Sequence, residues 1–518
     1  MRQSMRRQLA AGLMVLGVAV GWTAEVRGDI RLPHVIGSHM VIQRDLAIPI
    51  WGWAKPGEEV QVLLANRTAT ATADAGGRWL VKLEPLPAGG PHTLTVAGFN
   101  TIELTDVLIG DVWLCSGQSN MEMSIKSVEG GPEAVAQANH PRIRILQVPW
   151  RISPTPIEDI EIEWRPCTPE TISTGGAFNA GFSAIGYFFG LELHRELDVP
   201  IGLIDSSWGG TRIEPWTPRA GFAMVPTLQD IVKLIDEATP HYHKAVSQAV
   251  EEFERWTPLA RKHLDANEPV PAPPAWPQHQ LNQNTQPTAI YNGMIHPLVP
   301  FTIRGAIWYQ GESNLKDGMV YADKMRALIG GWRSAWGQGL FPFYFVQLAP
   351  FRYGNEDPQF LARLWEAQTA SLSIRNSGMA VTVDIGDVQD IHPRNKRDVG
   401  HRLALWALAK SYGRQGLVYS GPLFQSAEVE GDAMRVRFAH TGGGLASRDG
   451  QPLNWFQIAG EDQKFHPAEA VIDGATLLVR SPQVIKPVAV RFAWHQEANP
   501  NLMNKEGLPA SPFRSDSW

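Results

Sequence analysis

The sequence predicts an α/β protein built on a parallel sheet and flanked by N-terminal and C-terminal β-sandwich-like domains. Three observations predict it. Five near-continuous apolar runs, at 111–116, 201–206, 304–309, 342–348 and 379–385, read as strands buried on both faces. Helical repeats lie between them: Ile185, Phe189 and Leu193; Tyr321, Met325, Leu328 and Trp332; Val399, Leu403 and Trp406. Strand–helix alternation of this kind implies parallel strands joined by crossovers. Outside residues 106–420 the style changes to short runs broken by Gly and Pro turns, the pattern of small β-domains.

The elements follow in order. The chain opens with Arg2, Arg6 and Arg7, then an apolar run from Leu9 to about Ala24. Residues 1–28 therefore read as a signal peptide, cleaved between Ala24 and Asp29. The run falls short of the roughly 20 apolar residues that span a bilayer. The mature chain is expected to be periplasmic or secreted, with no stable membrane insertion; an uncleaved N-terminal anchor is the alternative. Residues 29–105 carry "AIPIWGWA", "RTATATAD", "RWLVKLEP" and "HTLTVAG", strand candidates divided by turns. The α/β region, 106–420, is interrupted at about 219–288 by a polar helical segment, "HKAVSQAVEEFERW", and then by "EPVPAPPAWPQ". The second piece is too rich in proline for a regular element, and the whole is read as an insertion forming a lid or rim. From 421 to 518 the β style returns with "AEVEGDAMRVRFAH", "WFQIAG", "TLLVRSP" and "VAVRFAW".

Composition narrows the function. The chain has 518 residues, 44% of them hydrophobic, with a formal net charge of -6 and a pI near 6.2. That charge gives no basic footprint for nucleic acid. Of the 19 tryptophans, most are expected in the core, and exposed ones could stack on sugar faces. Two cysteines, Cys115 and Cys167, allow at most one bridge. Cys115 sits on an apolar run and reads as a packing thiol; a Cys115–Cys167 disulfide is the alternative. "HYH" at 241–243 has the look of a metal pair but lacks further ligands, so no metal is expected.

In open α/β sheets ligands bind beyond the carboxyl ends of the strands. The segments there are "SGQSN" with Ser119, "SWGGTRIEPW" with Gly209 and Gly210, "QGESN" with Gln310 and Glu312, and "GDVQDIHP" with Asp387, Asp390 and His392. One sheet edge would gather them. The residue types fit acyl transfer. A serine hydroxyl needs a neighbouring base, which His392 can supply near neutral pH, and a carboxylate would hold the imidazole in its tautomer. Ser119 at a strand-to-helix turn would meet helix N–H groups; Gly210 could add a backbone N–H and Gln310 a side-chain N–H. Arg212 could meet a substrate carboxylate or hydroxyl, or pair with Glu214. Asn292 and Glu312 are further candidates for substrate contact, Glu312 alternatively as a buried tie between loops. Two plainer readings compete: Ser119 as a helix cap, and His296 of "YNGMIHP" as the base or as a structural turn.

"GQSNME", "WGGT", "WYQGESN" and "IHPRNK" occur in this order, with "MVIQRDLAIPIWGWAKPGEEV" before them and "LPASPFR" after. Together they resemble the sialate O-acetylesterase family, within the wider SGNH (GDSL-like) hydrolases. The resemblance implies a flavodoxin-like SGNH core with flanking β-domains, and removal of acetyl groups from sialic acids or from polysaccharides such as xylan. It implies no metal and no cofactor. Carried over by motif, Ser119 is the nucleophile, His392 the base, and Ser119, Gly210 and the block around Gln310 the oxyanion hole. The chain departs from the wider superfamily in two places. The usual oxyanion Asn is replaced by the Gln-Gly-Glu version, and Gln389 stands three residues before the histidine, where the acid is usual. Asp390 is the chosen third member, with Asp387 as rival and a dyad without a carboxylate as a further alternative. Two other functions stay open: a non-catalytic glycan-binding protein on the same fold, and a hydrolase of lipid or other acyl esters.

Overall fold

The computed structural model describes residues 29–176 and 181–518, so the expected signal peptide lies outside the described residues. Strands β1 (Val41–Gln43), β2 (Ile48–Trp53), β3 (Glu59–Leu64), β4 (Arg67–Thr72), β5 (Arg78–Leu83) and β6 (Gly89–Ala97) form an N-terminal β-layer. β3 buries Val60, Val62 and Leu64 and exposes the residues between them, as the two-residue period of a half-buried strand requires.

β7 (Thr101–Gly117) then serves two layers. Its first part pairs antiparallel with β6 and parallel with β1. From Asp111 onward it joins the central sheet. The expected boundary between residues 105 and 106 falls inside this strand. Thr101, Glu103 and Thr105 are exposed while 107–117 is buried throughout. A sequence pattern that changes from one-sided to two-sided burial thus reads as two elements although the backbone is one.

The central sheet adds β8 (His140–Gln147), β9 (Trp164–Cys167), β10 (Ile201–Ser207), β11 (Gly305–Tyr309), β12 (Phe343–Val346) and β13 (Ser377–Ala380). Its order is β13-β12-β11-β7-β10-β8-β9. The pairs are parallel except β9, which runs antiparallel to β8. The strand expected at 379–385 lies earlier, at 377–380. Beyond it the chain turns away from the ladder, and the Thr382 hydroxyl donates to the Gln347 carbonyl at 2.6 Å. β8 and β9 are absent from the sequence prediction. β8 carries Arg144, which is buried yet satisfied: it donates to both carboxylate oxygens of Asp106, at 2.7 and 3.0 Å, and to the His39 carbonyl.

Helices Ala184–Leu197, Val320–Trp336, Phe360–Ala370 and Lys396–Trp406 cover the sheet. Trp113, Trp216, Trp308, Trp332 and Trp365 are fully buried. One continuous core runs from Ile50 and Val62 of the β-layer to Ile204 and Leu403. The segment read as an insertion holds a helix, Gln229–Asp265, that includes Pro240 and Pro258 and buries only Val232, Ala238, Ala249 and Ala260. Residues 268–279 have no regular structure. The chain closes with two four-stranded antiparallel sheets around a second core that includes Val436, Ile458, Leu477 and Phe492. Cys115 and Cys167 are both free and buried. Among the described residues no helix is long and apolar enough to cross a membrane.

Candidate active site

Register assembles the site. Gly117 of β7 lies opposite Ser207 of β10 and Tyr309 of β11, so three loops leave the sheet at one level. Gly117 has φ +145°, and a Cβ there would fall 2.1 Å from the Tyr309 carbonyl oxygen; no other residue fits. The Gln118 N–H donates to that carbonyl at 2.9 Å, and the Trp208 N–H donates to the Gly117 carbonyl at 3.1 Å. Ser119 is the first residue of a one-turn helix, Ser119–Glu122, and Gln118 is its N-cap. Ser119 is therefore not the cap. Its Oγ lies 2.8 Å from His392 Nε2, the geometry in which the hydroxyl donates to the ring when Nε2 carries no proton. A four-residue helix builds no appreciable macrodipole, and the Met121 and Glu122 N–H groups already bond the Gln118 carbonyl. The expected help from a helix terminus reduces to individual N–H groups.

His392 is held from several sides. Asp390 Oδ1 accepts its backbone N–H at 2.9 Å and stands 4.0 Å from Nδ1. Asp387 Oδ1 accepts the Gln389 N–H instead. Lys396, on the helix after the loop, is buried and donates to Asn120 Oδ1 at 2.6 Å and to the Pro393 carbonyl at 2.5 Å. Asn120 Nδ2 donates to Glu312 Oε1 at 2.5 Å and to the Ile391 carbonyl at 3.0 Å. The residue after the serine is thereby fastened to the backbone on both sides of the histidine. Burial lowers the His392 pKa and the Lys396 charge lowers it further, against an opposing pull from Asp390. Burial brings Lys396 itself down to about 7. Glu312 is pushed up by burial.

The glycine loop is fixed by an acid the sequence reading left without a role. Glu122 Oε2 accepts the Gly209 N–H at 2.7 Å, and Oε1 accepts the Trp150 indole N–H at 2.8 Å. Trp150 stacks on Trp208, with ring centroids 5.0 Å apart and planes 2° from parallel. Gly210 has φ +72°, and a Cβ there would meet nothing within 4 Å, so its backbone borders open space. Gln310 departs from expectation. It is fully buried, and its amide donates to Gln118 Oε1, the Thr211 carbonyl and Asn314 Oδ1 at 3.1, 3.1 and 2.8 Å. Its oxygen accepts the Tyr321 hydroxyl at 2.8 Å. With its amide hydrogens taken inside the protein, Gln310 ties three loops together and has none to turn toward an oxyanion.

A family profile described as a carbohydrate esterase, sialic acid-specific acetylesterase, matches residues 109–254 and 276–409. The chain is 31% identical to the sialate O-acetylesterase of Rattus norvegicus, over 81% of this chain and 80% of that protein. It is 32% identical to the human sialate O-acetylesterase, over 81% and 79%. The chain belongs to the sialic acid-specific acetylesterase family of carbohydrate esterases. A crystal structure of a carbohydrate acetylesterase from Xanthomonas citri superposes with a TM-score of 0.79 at 38% identity, covering 95% of this chain and 100% of that one.

The remaining candidates of this esterase sort by their partners. Arg212 donates to Glu214, to Asp317 and to the Ser313 carbonyl; it pairs internally. Asn292 is buried and donates to the Ser153 carbonyl at 3.1 Å, which holds that loop in place. His296 Nδ1 donates to the Ile157 carbonyl at 2.9 Å, and the serine's partner is His392. Glu312 serves as the buried tie through Asn120 and also lines a cavity of about 540 Å³ with Arg212, Phe351, Arg352 and Tyr353. Among the described residues no group of three or more His, Cys, Asp or Glu could hold a metal ion. Sequence reasoning gave no role to Asn120, Glu122 and Lys396. All three stand inside the quoted motifs, but nothing in a motif shows that a lysine is buried or which way a glutamate turns.

Proposed function

We propose that this chain is an exported serine carbohydrate O-acetylesterase with an SGNH-type core. The observation that carries the reading is the 2.8 Å contact between Ser119 Oγ and His392 Nε2, within hydrogen-bond reach as nucleophile and base must be. Ser119 Oγ attacks the acetyl carbonyl carbon as its proton passes to Nε2. The tetrahedral oxyanion faces the backbone N–H groups of Ser119 and Gly210. On collapse the imidazolium protonates the departing sugar oxygen and an acetyl-serine remains. Water, deprotonated by His392, then releases acetate. Asp390 acts by charge at 4.0 Å and by fixing the histidine backbone. Its role is weaker than that of a triad acid bonded to Nδ1.

Acetate release from acetylxylan, acetylated pectin and 9-O-acetyl-N-acetylneuraminic acid tests the proposal, with His392→Ala as control. Release from a neutral polysaccharide that His392→Ala abolishes supports it. No acetate from any of the three, or equal release by the variant, overturns it.

A further inference from the structure

A cavity of about 440 Å³ lies beside the glycine loop, a size that suits a small ligand. Glu122, Trp150 and Ser207 line it. It adjoins the catalytic serine, because a Cβ on Gly209 would stand 3.0 Å from Glu122 Oε2 and 3.3 Å from Ser119 Cβ. Trp150 is 39% exposed and stacked on Trp208. Its N–H is spent on Glu122 and the Ser207 carbonyl, so it contributes apolar ring surface to the lining and no donor.

Charged residues supply another part of the lining. Glu161, Glu163 and Arg165 alternate with the buried Ile162 and Trp164 as the chain runs into β9, so the three lie on one side of it. Arg165 Nη2 is 3.0 Å from where a Cβ on Gly175, another lining residue, would stand. Glu161 and Glu163 are exposed and Arg165 is half-buried, and none of the three makes a side-chain hydrogen bond or ion pair with a described residue. Arg44, Arg212 and Arg304, also half-buried, each pair with a carboxylate. A half-buried guanidinium without a partner calls for one.

Charge selects that partner. The lining sets the carboxyls of Glu122, Asp205, Glu161 and Glu163 against the one guanidinium. Burial raises Glu122, and it raises Asp205 to about 7, yet Glu161 and Glu163 alone outnumber Arg165. Such a field repels a ligand carboxylate. Sugar hydroxyls suit it. Their oxygens accept from the guanidinium and their hydrogens go to the carboxylates, while the carbon face of the ring packs on an indole.

We infer that this cavity is the sugar subsite of the esterase, that it takes a neutral, hydroxyl-rich unit of the acetylated glycan, and that Arg165 is its specificity-determining residue. The inference rests on the esterase reading proposed above. The test is kcat/KM for acetylated xylohexaose, acetylated mannohexaose and 9-O-acetyl-N-acetylneuraminic acid, with p-nitrophenyl acetate, which carries no sugar, as the measure of the ester chemistry alone. The parent should cleave at least one acetylated hexaose, at a kcat/KM about tenfold or more above that for the sialic acid ester. Arg165→Ala should lower the hexaose value by about tenfold or more and Glu163→Ala by about threefold or more, both with p-nitrophenyl acetate hydrolysis within about twofold of the parent. If Arg165→Ala fails to fold, Glu163→Ala decides alone. A parent active on p-nitrophenyl acetate that cleaves neither hexaose, or that cleaves the sialic acid ester as fast or faster, would overturn the inference. So would variants that leave the hexaose value unchanged or that lose p-nitrophenyl acetate hydrolysis to the same degree. A parent inactive on p-nitrophenyl acetate as well, or a Ser119→Ala variant as active as the parent, would overturn the esterase reading and this inference with it.

Discussion

Replacing Lys396 by Met probes the link between packing and chemistry. In the parent, burial brings the Lys396 pKa from 10.5 to about 7. At 1.36 kcal/mol per pKa unit, carrying the charge costs about 5 kcal/mol. Because the unfolded chain holds that proton up to 10.5, the cost is full below pH 7 and vanishes as pH rises through 10.5. Methionine removes the cost but leaves Asn120 Oδ1 and the Pro393 carbonyl without their donor, at about 1–3 kcal/mol each. The two effects nearly cancel, so net stability should change by no more than about 3 kcal/mol and compare better with the parent at pH 6 than at pH 10. Activity should not be spared. Loosening the strap between the nucleophile's neighbour and the histidine loop should lower kcat/KM by about 100-fold. Losing a positive charge beside His392 should move the acid limb of the pH–rate profile upward. The assay is kcat/KM for p-nitrophenyl acetate from pH 5 to 9, with urea unfolding alongside. A variant of parental kcat/KM with an unmoved acid limb would refute the assignment of Lys396 as a positioning residue.

Three further outcomes are expected. Glu122→Ala, which takes the acceptor from the Gly209 N–H and leaves the Trp150 indole only the Ser207 carbonyl, should cut kcat for a small acetyl ester by about 10- to 100-fold with KM little changed; Glu122→Gln, which keeps one acceptor, should lose less. Burial alone would raise Glu214, but Lys324 and Arg212 hold it at about 2 against an ordinary 4.5; stability should therefore drop by up to about 3 kcal/mol as pH falls from 4.5 through 2, and Glu214→Gln should flatten that part of the urea-midpoint profile. Native protein should not react with a thiol reagent and denatured protein should expose two thiols, because Cys115 and Cys167 are buried, with the Cys167 thiol pushed up to about 12; a chain with no titratable thiol after denaturation would show a disulfide.

Much of this was legible before the fold was known, and the rest was hidden for identifiable reasons. The runs at 111–116, 201–206 and 304–309 became β7, β10 and β11, because strands buried on both faces write their position directly into composition. The meeting of Ser119 and His392 followed from asking what lies beyond the carboxyl ends of the sheet strands, Ser119 after β7 and His392 after β13. β8 escaped because Arg142 and Arg144 broke its apolar pattern, and only the fold shows that Asp106 neutralises Arg144. Gln310 was placed at the correct strand end, but the direction of its amide depends on Gln118, Thr211 and Asn314, three acceptors from three loops. The same holds for Arg212, whose competing partner Glu214 stood two residues away in the sequence and accepts it in the fold. Lys396 was invisible as a functional residue because a lysine at the start of a helix ordinarily faces water.

The most direct measurement is kcat/KM of Ser119→Ala for p-nitrophenyl acetate. If Ser119 Oγ is the attacking atom and His392 its base, the value should fall by about 10⁴-fold or more, and His392→Ala added to it should cost little further, as groups that act as one unit behave. A Ser119→Ala variant that keeps its activity within about tenfold of the parent would show that another group attacks the ester.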